Sequence, residues 1–369
     1  MSENGSHPHQ RVRWLAGAAG LAGVGTVAGA TAAHAVTHRS KVEDPYTGED
    51  FGLIEADRGC VVTTPDGVDL AVREIGSADA AVTVVFVHGF CMNMGAFHFQ
   101  RRELARVWGD QVRMVFYDQR GHGKSGAAAP RTYTVEQLGL DLETVISLLA
   151  PRGSVVLVGH SMGGMTVLSH ARQFPARYGS HIVGAALISS AAEGLSRSPL
   201  GEILQNPALE AARFVTRYAP GLVHRGRGAA RSVLSPVLQA ASFGDRSVSP
   251  TVARYSEQMI HQTPVTTMVG FLHALGVHNE TDGLPVLARV PVLVACGSAD
   301  VLTTPQHSEE MAAVLPQAEL LVVGGAGHLV QMEQPDPIDE ALVRLVERAT
   351  PSKLTALTRK LRQKVQRNA

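Results

Sequence analysis

The feature that most constrains this chain is a series of short apolar runs spaced by helical patterns. Residues 82–87, 112–117, 154–158, 182–188, 292–295 and 319–323 are each continuously apolar or nearly so. A strand with one wet face alternates apolar and polar residues, whereas a strand buried on both faces needs no alternation. Between the runs, residues 135–149, 163–174, 305–315 and 336–346 carry apolar positions at helical spacing. Strands alternating with helices predict an α/β fold with a mostly parallel, doubly wound sheet covered by helices. Ahead of it, residues 60–64 and 68–75 flank Pro65-Asp66-Gly67, a turn signal, so the body opens with a hairpin.

The alternation breaks between about residues 194 and 285. That stretch reads as helical pieces at 200–218, 228–240, 250–261 and 265–277, with no buried-strand run among them. The expected organisation is therefore a core of residues 42–193 and 286–350, with 194–285 as a helical cap over one edge of the sheet. No repeat of 20–50 residues is visible.

The candidate chemistry falls at strand ends. Val155-Val156-Leu157-Val158-Gly159-His160-Ser161-Met162-Gly163-Gly164 is a strand running into G-x-S-x-G and then a helix. A serine on so sharp a turn takes strained backbone angles, and the residues two before and two after it must be tiny. Its hydroxyl then stands at a helix N-terminus, where backbone N–H groups favour developing negative charge. Serine needs a base, and His328 follows the last apolar run in the loop Gly324-Gly325-Ala326-Gly327. The imidazole in turn needs an acid to hold one tautomer. Asp300 supplies it just past residues 292–295, with Glu193, after residues 182–188, as the rival. An oxyanion hole needs two aimed donors, and the backbone N–H groups of Phe90 and Met162 fit that role.

These segments resemble a known family. His88-Gly89-Phe90, Tyr117-Asp118-Gln119-Arg120-Gly121-His122-Gly123-Lys124-Ser125, Gly159-His160-Ser161-Met162-Gly163-Gly164, Gly297-Ser298-Ala299-Asp300 and Gly327-His328 are similar, in order, to the successive motifs of the α/β-hydrolases. The likeness covers roughly residues 59–350 and places the insertion where that family carries a cap or lid. It implies the order Ser161, Asp300, His328 for a nucleophile, acid and base. Asp118, Arg120, His122 and Ser125 then form a structural loop, His88 braces its own loop, and His160 is expected to point away from the pocket, buried and satisfied. A serine in the elbow excludes the branches of the family that use a carboxylate there, which leaves acyl chemistry. The expected activity is a carboxylic ester hydrolase, tilted toward acylglycerols or other lipid esters. Acyl transfer, carbon–carbon bond hydrolysis and cofactor-free perhydrolysis use the same triad, and a silent binding protein is the non-enzymatic reading. Phe243, Met259, Met268, Phe271 and Leu272 are candidates for an acyl pocket, with ordinary cap core as their plainer role.

Composition bears on partners. With 33 Lys+Arg against 33 Asp+Glu in 369 residues, the chain lacks the basic surplus of a general nucleic-acid binder. The zero is uneven. Residues 1–41 carry +3 and residues 351–369 carry +6, leaving the body at −9. Residues 14–33 are free of charge and as a helix would span about 30 Å. Arg11 and Arg13 precede them and Ala33-His34-Ala35 follows, as in a signal peptide with an A-x-A cleavage site. A membrane anchor or a cleaved signal is expected, so the protein is placed at a membrane or in the cell envelope, with a cytoplasmic protein as the alternative. Leu354, Leu357, Leu361 and Val365 make a helical stripe among basic residues, which suits an anionic membrane surface or a loosely packed terminal helix. Cys60, Cys91 and Cys296 form neither a disulfide framework nor a zinc set. No metal or cofactor motif occurs: there is no H-E-x-x-H, phosphate-cradling loop or dinucleotide fingerprint.

Overall fold

The computed structural model describes residues 44–195, 238–244 and 248–351. The expected helices within 200–218 and 228–237, the N-terminal segment and the basic stripe at 354–365 lie outside those residues.

The apolar runs form one eight-stranded sheet. Its strands are β1 (Arg58–Thr63), β2 (Asp69–Ile75), β3 (Val82–Val87), β4 (Val112–Tyr117), β5 (Ser154–His160), β6 (Ile182–Ile188), β7 (Val292–Gly297) and β8 (Glu319–Val323), in the order β1-β2-β4-β3-β5-β6-β7-β8. The opening hairpin is antiparallel and β2 meets β4 antiparallel; every other pairing is parallel. The order reverses around β3 and β5, and in such sheets the carboxyl ends of the strands at that point form the crevice.

Strand residues feed two cores in turn. In β3, Val85 and Val87 join the side holding Leu142 and Ile146 of α2 (Val135–Leu149) and Leu168 of α3 (Met162–Gln173). Val84 and Phe86 join the side holding Leu104 of α1 (His98–Trp108) and Leu342 of the C-terminal helix (Pro335–Ala349). Both faces being apolar explains the uninterrupted runs. Residues 319–323 depart from that expectation: β8 is an edge strand, paired only with β7, and Leu320 and Val322 remain 41% and 43% exposed. An edge strand lacks the neighbour that would cover its second face.

Within the insertion, α4 (Pro250–Gln262) and α5 (Val265–Gly276) are followed, after β7, by α6 (Pro305–Ala313) and, after β8, by α7, the C-terminal helix already introduced. Residues 44–57 form a strap that joins α4 to the core. The Asp44 carboxylate accepts hydrogen bonds from the backbone N–H of Thr251 (3.0 Å) and from the Ser249 and Thr251 hydroxyls, completing the N-terminus of α4. Phe51 stacks on Tyr255 of α4 with ring centroids 4.2 Å apart. Glu49 and Asp57 pair with Arg102 and Arg101 of α1. Among the described residues no helix is long and apolar enough to cross a membrane.

Candidate active site

Ser161 stands between β5 and α3 with φ 54° and ψ −119°, a conformation that L-residues with a side chain rarely adopt. The glycines around it have measurable reasons. A Cβ on Gly163 would lie 1.9 Å from the Val87 carbonyl oxygen, and one on Gly159 would lie 2.4 Å from that of Gly163. Backbone bonds hold the strained turn, with Ser161 N–H donating to Ile188 O (2.9 Å) and the Ser190 hydroxyl to Ser161 O (2.8 Å).

His328 and Asp300 meet this serine. His328 Nδ1 lies 2.9 and 3.1 Å from the two carboxylate oxygens of Asp300. A carboxylate only accepts, so Nδ1 carries a proton, and in the neutral imidazole Nε2 has the lone pair. That lone pair faces Ser161 Oγ at 2.9 Å. Asp300 is buried, and burial alone would raise its pKa. The neighbouring His328, the Thr303 hydroxyl (2.9 Å) and the Leu302 N–H (2.9 Å) outweigh it and hold the carboxyl below its ordinary range. Glu193, the rival acid, is elsewhere: its carboxylate accepts from Asn279 Nδ2 at 3.0 Å. Thr303 was not expected from the sequence. Only its position three residues beyond Asp300, in reach of a turn closed by the acid's own carboxylate, could have pointed to it.

The Phe90 N–H and the Met162 N–H have no acceptor among the described residues. Phe90 lines the same cavity as Ser161, and Met162 opens α3, where N–H groups are unpaired by construction of a helix. The loop carrying Phe90 is braced by the one after β4. His88 Nε2 accepts from the Gln119 N–H (2.9 Å), so its Nδ1 donates to Gly89 O (2.8 Å). His122 Nε2 accepts from the Cys91 N–H (3.2 Å), and its Nδ1 donates to Arg120 O (3.1 Å). Burial lowers the pKa of both imidazoles, that of His122 to about 4, which keeps these acceptor nitrogens unprotonated. Asp118 accepts from the N–H groups of Met94 (2.8 Å) and Lys124 (2.7 Å), and Ser125 donates to the Asp118 carbonyl (2.6 Å). The fully buried Arg120 pairs with Asp141 of α2 and with Asp66 in the hairpin turn. These four residues tie the hairpin, α2 and the Phe90 loop together.

A narrow cavity of ≈ 40 Å³ lies above Ser161. Its described walls include Phe90, Met165, Leu238, Ile260, Leu272 and Leu275, with Ser161, Ser242, Thr303 and His328 as polar members and no Asp, Glu, Lys or Arg. Of the five expected acyl-pocket residues only Leu272 lines it. Phe271, one position along α5, turns the other way and packs on Tyr133 and His122. Met259 and Met268 are buried in the packing between cap and core, and Phe243 is partly buried there. Helical phase decides this, since neighbouring residues on a helix point about 100° apart. Cys91 also faces the cavity, in a left-handed conformation (φ 58°), and burial holds its thiol well above the usual range, so it presents a neutral group.

The expectation for His160 needs correction. It is buried, but among the described residues only Nε2 is bonded, 3.0 Å from the His328 carbonyl oxygen, while Nδ1 has no partner there. Its ring lies against that of His328, with centroids 5.1 Å apart. Sequence spacing could not show this, because the two residues belong to different strand ends. Among the described residues, no His, Cys, Asp and Glu side chains group so as to hold a metal ion.

Comparison with known proteins agrees with this architecture. The model of a family described as the alpha/beta hydrolase fold matches residues 82–335. The chain is 28% identical over 283 residues to the dihydrolipoyllysine-residue acetyltransferase component of an acetoin cleaving system from Pseudomonas putida, covering 74% of this chain and 66% of that protein. A monoacylglycerol lipase from Mycolicibacterium smegmatis is 26% identical over 226 residues, 58% of this chain and 75% of the lipase. Among solved structures, an esterase from Thermogutta terrifontis with malate bound matches with a TM-score of 0.62 at 27% identity, covering 79% of this chain and 99% of the esterase.

Proposed function

This chain belongs to the alpha/beta hydrolase fold family, and from that premise we propose that it is a serine hydrolase cleaving carboxylic esters through an acyl-enzyme on Ser161. The observation that carries the reading is the 2.9 Å approach of Ser161 Oγ to the unprotonated nitrogen of an imidazole whose other nitrogen donates to Asp300. In the first half-reaction His328 Nε2 takes the hydroxyl proton as Oγ attacks the ester carbonyl. The carbonyl oxygen becomes an oxyanion that the Phe90 and Met162 N–H groups receive, a contribution worth about 3 kcal/mol per donor. His328 passes its proton to the leaving alkoxide as the carbonyl reforms. A water then repeats the sequence on the acyl-enzyme, releasing the acid and restoring the serine.

The described walls of the cavity, apolar and uncharged, favour an uncharged acyl group, and the likeness to a monoacylglycerol lipase adds support for lipid esters. Labelling with a fluorophosphonate probe, lost in Ser161→Ala, tests the nucleophile; a wild-type protein that does not label would overturn it. A chain-length series of acyl esters tests the substrate class, and turnover confined to acetate would remove the lipid preference. Membrane attachment through the basic ends is part of the same proposal. Fractionation with and without residues 1–41 and 351–369 decides it, since identical soluble behaviour would defeat it.

A further inference from the structure

His160 is the last residue of β5, directly before Ser161, and only 1% exposed. It touches three parts of the site. Its Nε2 lies 3.0 Å from the carbonyl oxygen of His328, and its ring packs on the His328 ring at an interplanar angle of 55°. On its other side it abuts Gly89, where an added Cβ would lie 2.8 Å from His160 Nδ1 and 3.0 Å from the Ser161 Cβ. One side chain thus packs between the loop of the proposed base and the loop of the proposed oxyanion donors, beside the proposed nucleophile.

The tautomer follows from the partner. A carbonyl only accepts, so Nε2 bears the hydrogen and donates, and Nδ1 is a bare lone pair with no donor among the described residues. A buried polar atom left unpaired is unfavourable, and an apolar side chain of similar size would avoid it. What an apolar side chain could not do is hold the main chain of His328. Resting on the reaction proposed above, we infer that His160 is a positioning residue: its Nε2–H fixes the His328 carbonyl, and with it the reach of the imidazole to Ser161 and Asp300. Its burial next to His328 also favours the neutral ring, with a pKa lowered to about 3 by desolvation and by the neighbouring imidazole. A neutral neighbour allows His328 to become cationic during turnover without facing a second positive charge.

The test compares His160→Phe, which keeps a ring but loses the donor, with His160→Gln, whose amide N–H can reach the same carbonyl. Two readouts are taken on the full-length protein: the rate at which a fluorophosphonate labels Ser161, and kcat and KM on a short p-nitrophenyl ester. His160→Phe should label and turn over about tenfold more slowly at unchanged KM, with a Tm no lower than wild type. His160→Gln should recover most of the rate. His160→Phe labelling within twofold of wild type, or both variants losing rate in step with Tm, overturns the inference. The labelling rate separates it from the ester reading. A wild-type protein that labels but hydrolyses no ester overturns that reading alone, while the ratio of labelling rates still decides the role of His160. A wild-type protein that does not label overturns both.

Discussion

On the core side of the cavity, the Ser161 main chain is fixed by a turn with positive φ, glycines with no room for a methyl group, a backbone bond to Ile188 and a bond from the Ser190 hydroxyl. On the other side, Ile260 reaches the same space from α4, which is anchored through Asp44, Phe51 and Tyr255, and Leu272 and Leu275 reach it from α5, whose Thr267 hydroxyl donates to Gly121 O. The first arrangement leaves no freedom to the reacting atoms. The second is exchangeable residue by residue. On the reading proposed above, the core sets the chemistry and α4 and α5 the selectivity, and substitutions should separate the two.

The largest effect is expected at the serine. Ser161→Ala should lower ester turnover by about 10³-fold or more with an unchanged melting curve, measured by steady-state assay and calorimetry. Gly163→Ala should break the core side without touching a reacting group. Its methyl meets the Val87 carbonyl, so a loss of about 3 kcal/mol in unfolding free energy is expected, read from denaturant titration.

Asp339 of α7 sharpens the comparison, because here the core tolerates a poorly paired acid. One carboxylate oxygen accepts from Gln100 Nε2 at 2.8 Å and the other has no partner among the described residues. Burial, aided by Asp336 and Glu103 and opposed by the Gln100 hydrogen bond and Arg102, lifts its pKa to about 7. The folded state therefore keeps this proton where the unfolded chain releases it. Stability is full below pH 3.8, falls as pH rises toward 7, and stays reduced above. Asp339→Asn should melt above wild type at pH 8, by on the order of 2 kcal/mol, with the gap closing toward pH 4.

The smallest effect concerns the strap. Asp44→Ala removes the acceptor for Ser249 and Thr251, so limited proteolysis should cut residues 250–276 sooner while the core melts as before. The Asp44 carboxyl, lowered to about 2 by the Ser249 and Thr251 hydrogen bonds, makes this contact above pH 3.8 and loses it as pH falls through 2. Equal protection at pH 7 in both proteins would show that the strap does not hold the cap.

The sheet was legible in the sequence because burial on both faces leaves its mark residue by residue, as in β3 and β5. Ser161, Asp300 and His328 could be singled out because each sits in a small-residue loop at a strand end. The edge position of β8 was not legible, since strand order is decided by pairings between distant segments. Leu272 could not be told from Phe271, because a helix's rotation depends on what it packs against. The bond of His160 to His328 depends on where separate loops meet in space. That register has no local signature.

The bond from Ser249 to Asp44 closes a stretch of 205 residues, and that from Thr251 closes 207. Closing so long a loop early is entropically expensive, and non-local contacts of this kind form slowly. The strap is made before β1, yet its helix emerges only after β1 to β6 are available to fold. The docking of α4 on the strap should therefore form late in folding, and in hydrogen exchange α4 should open before the sheet.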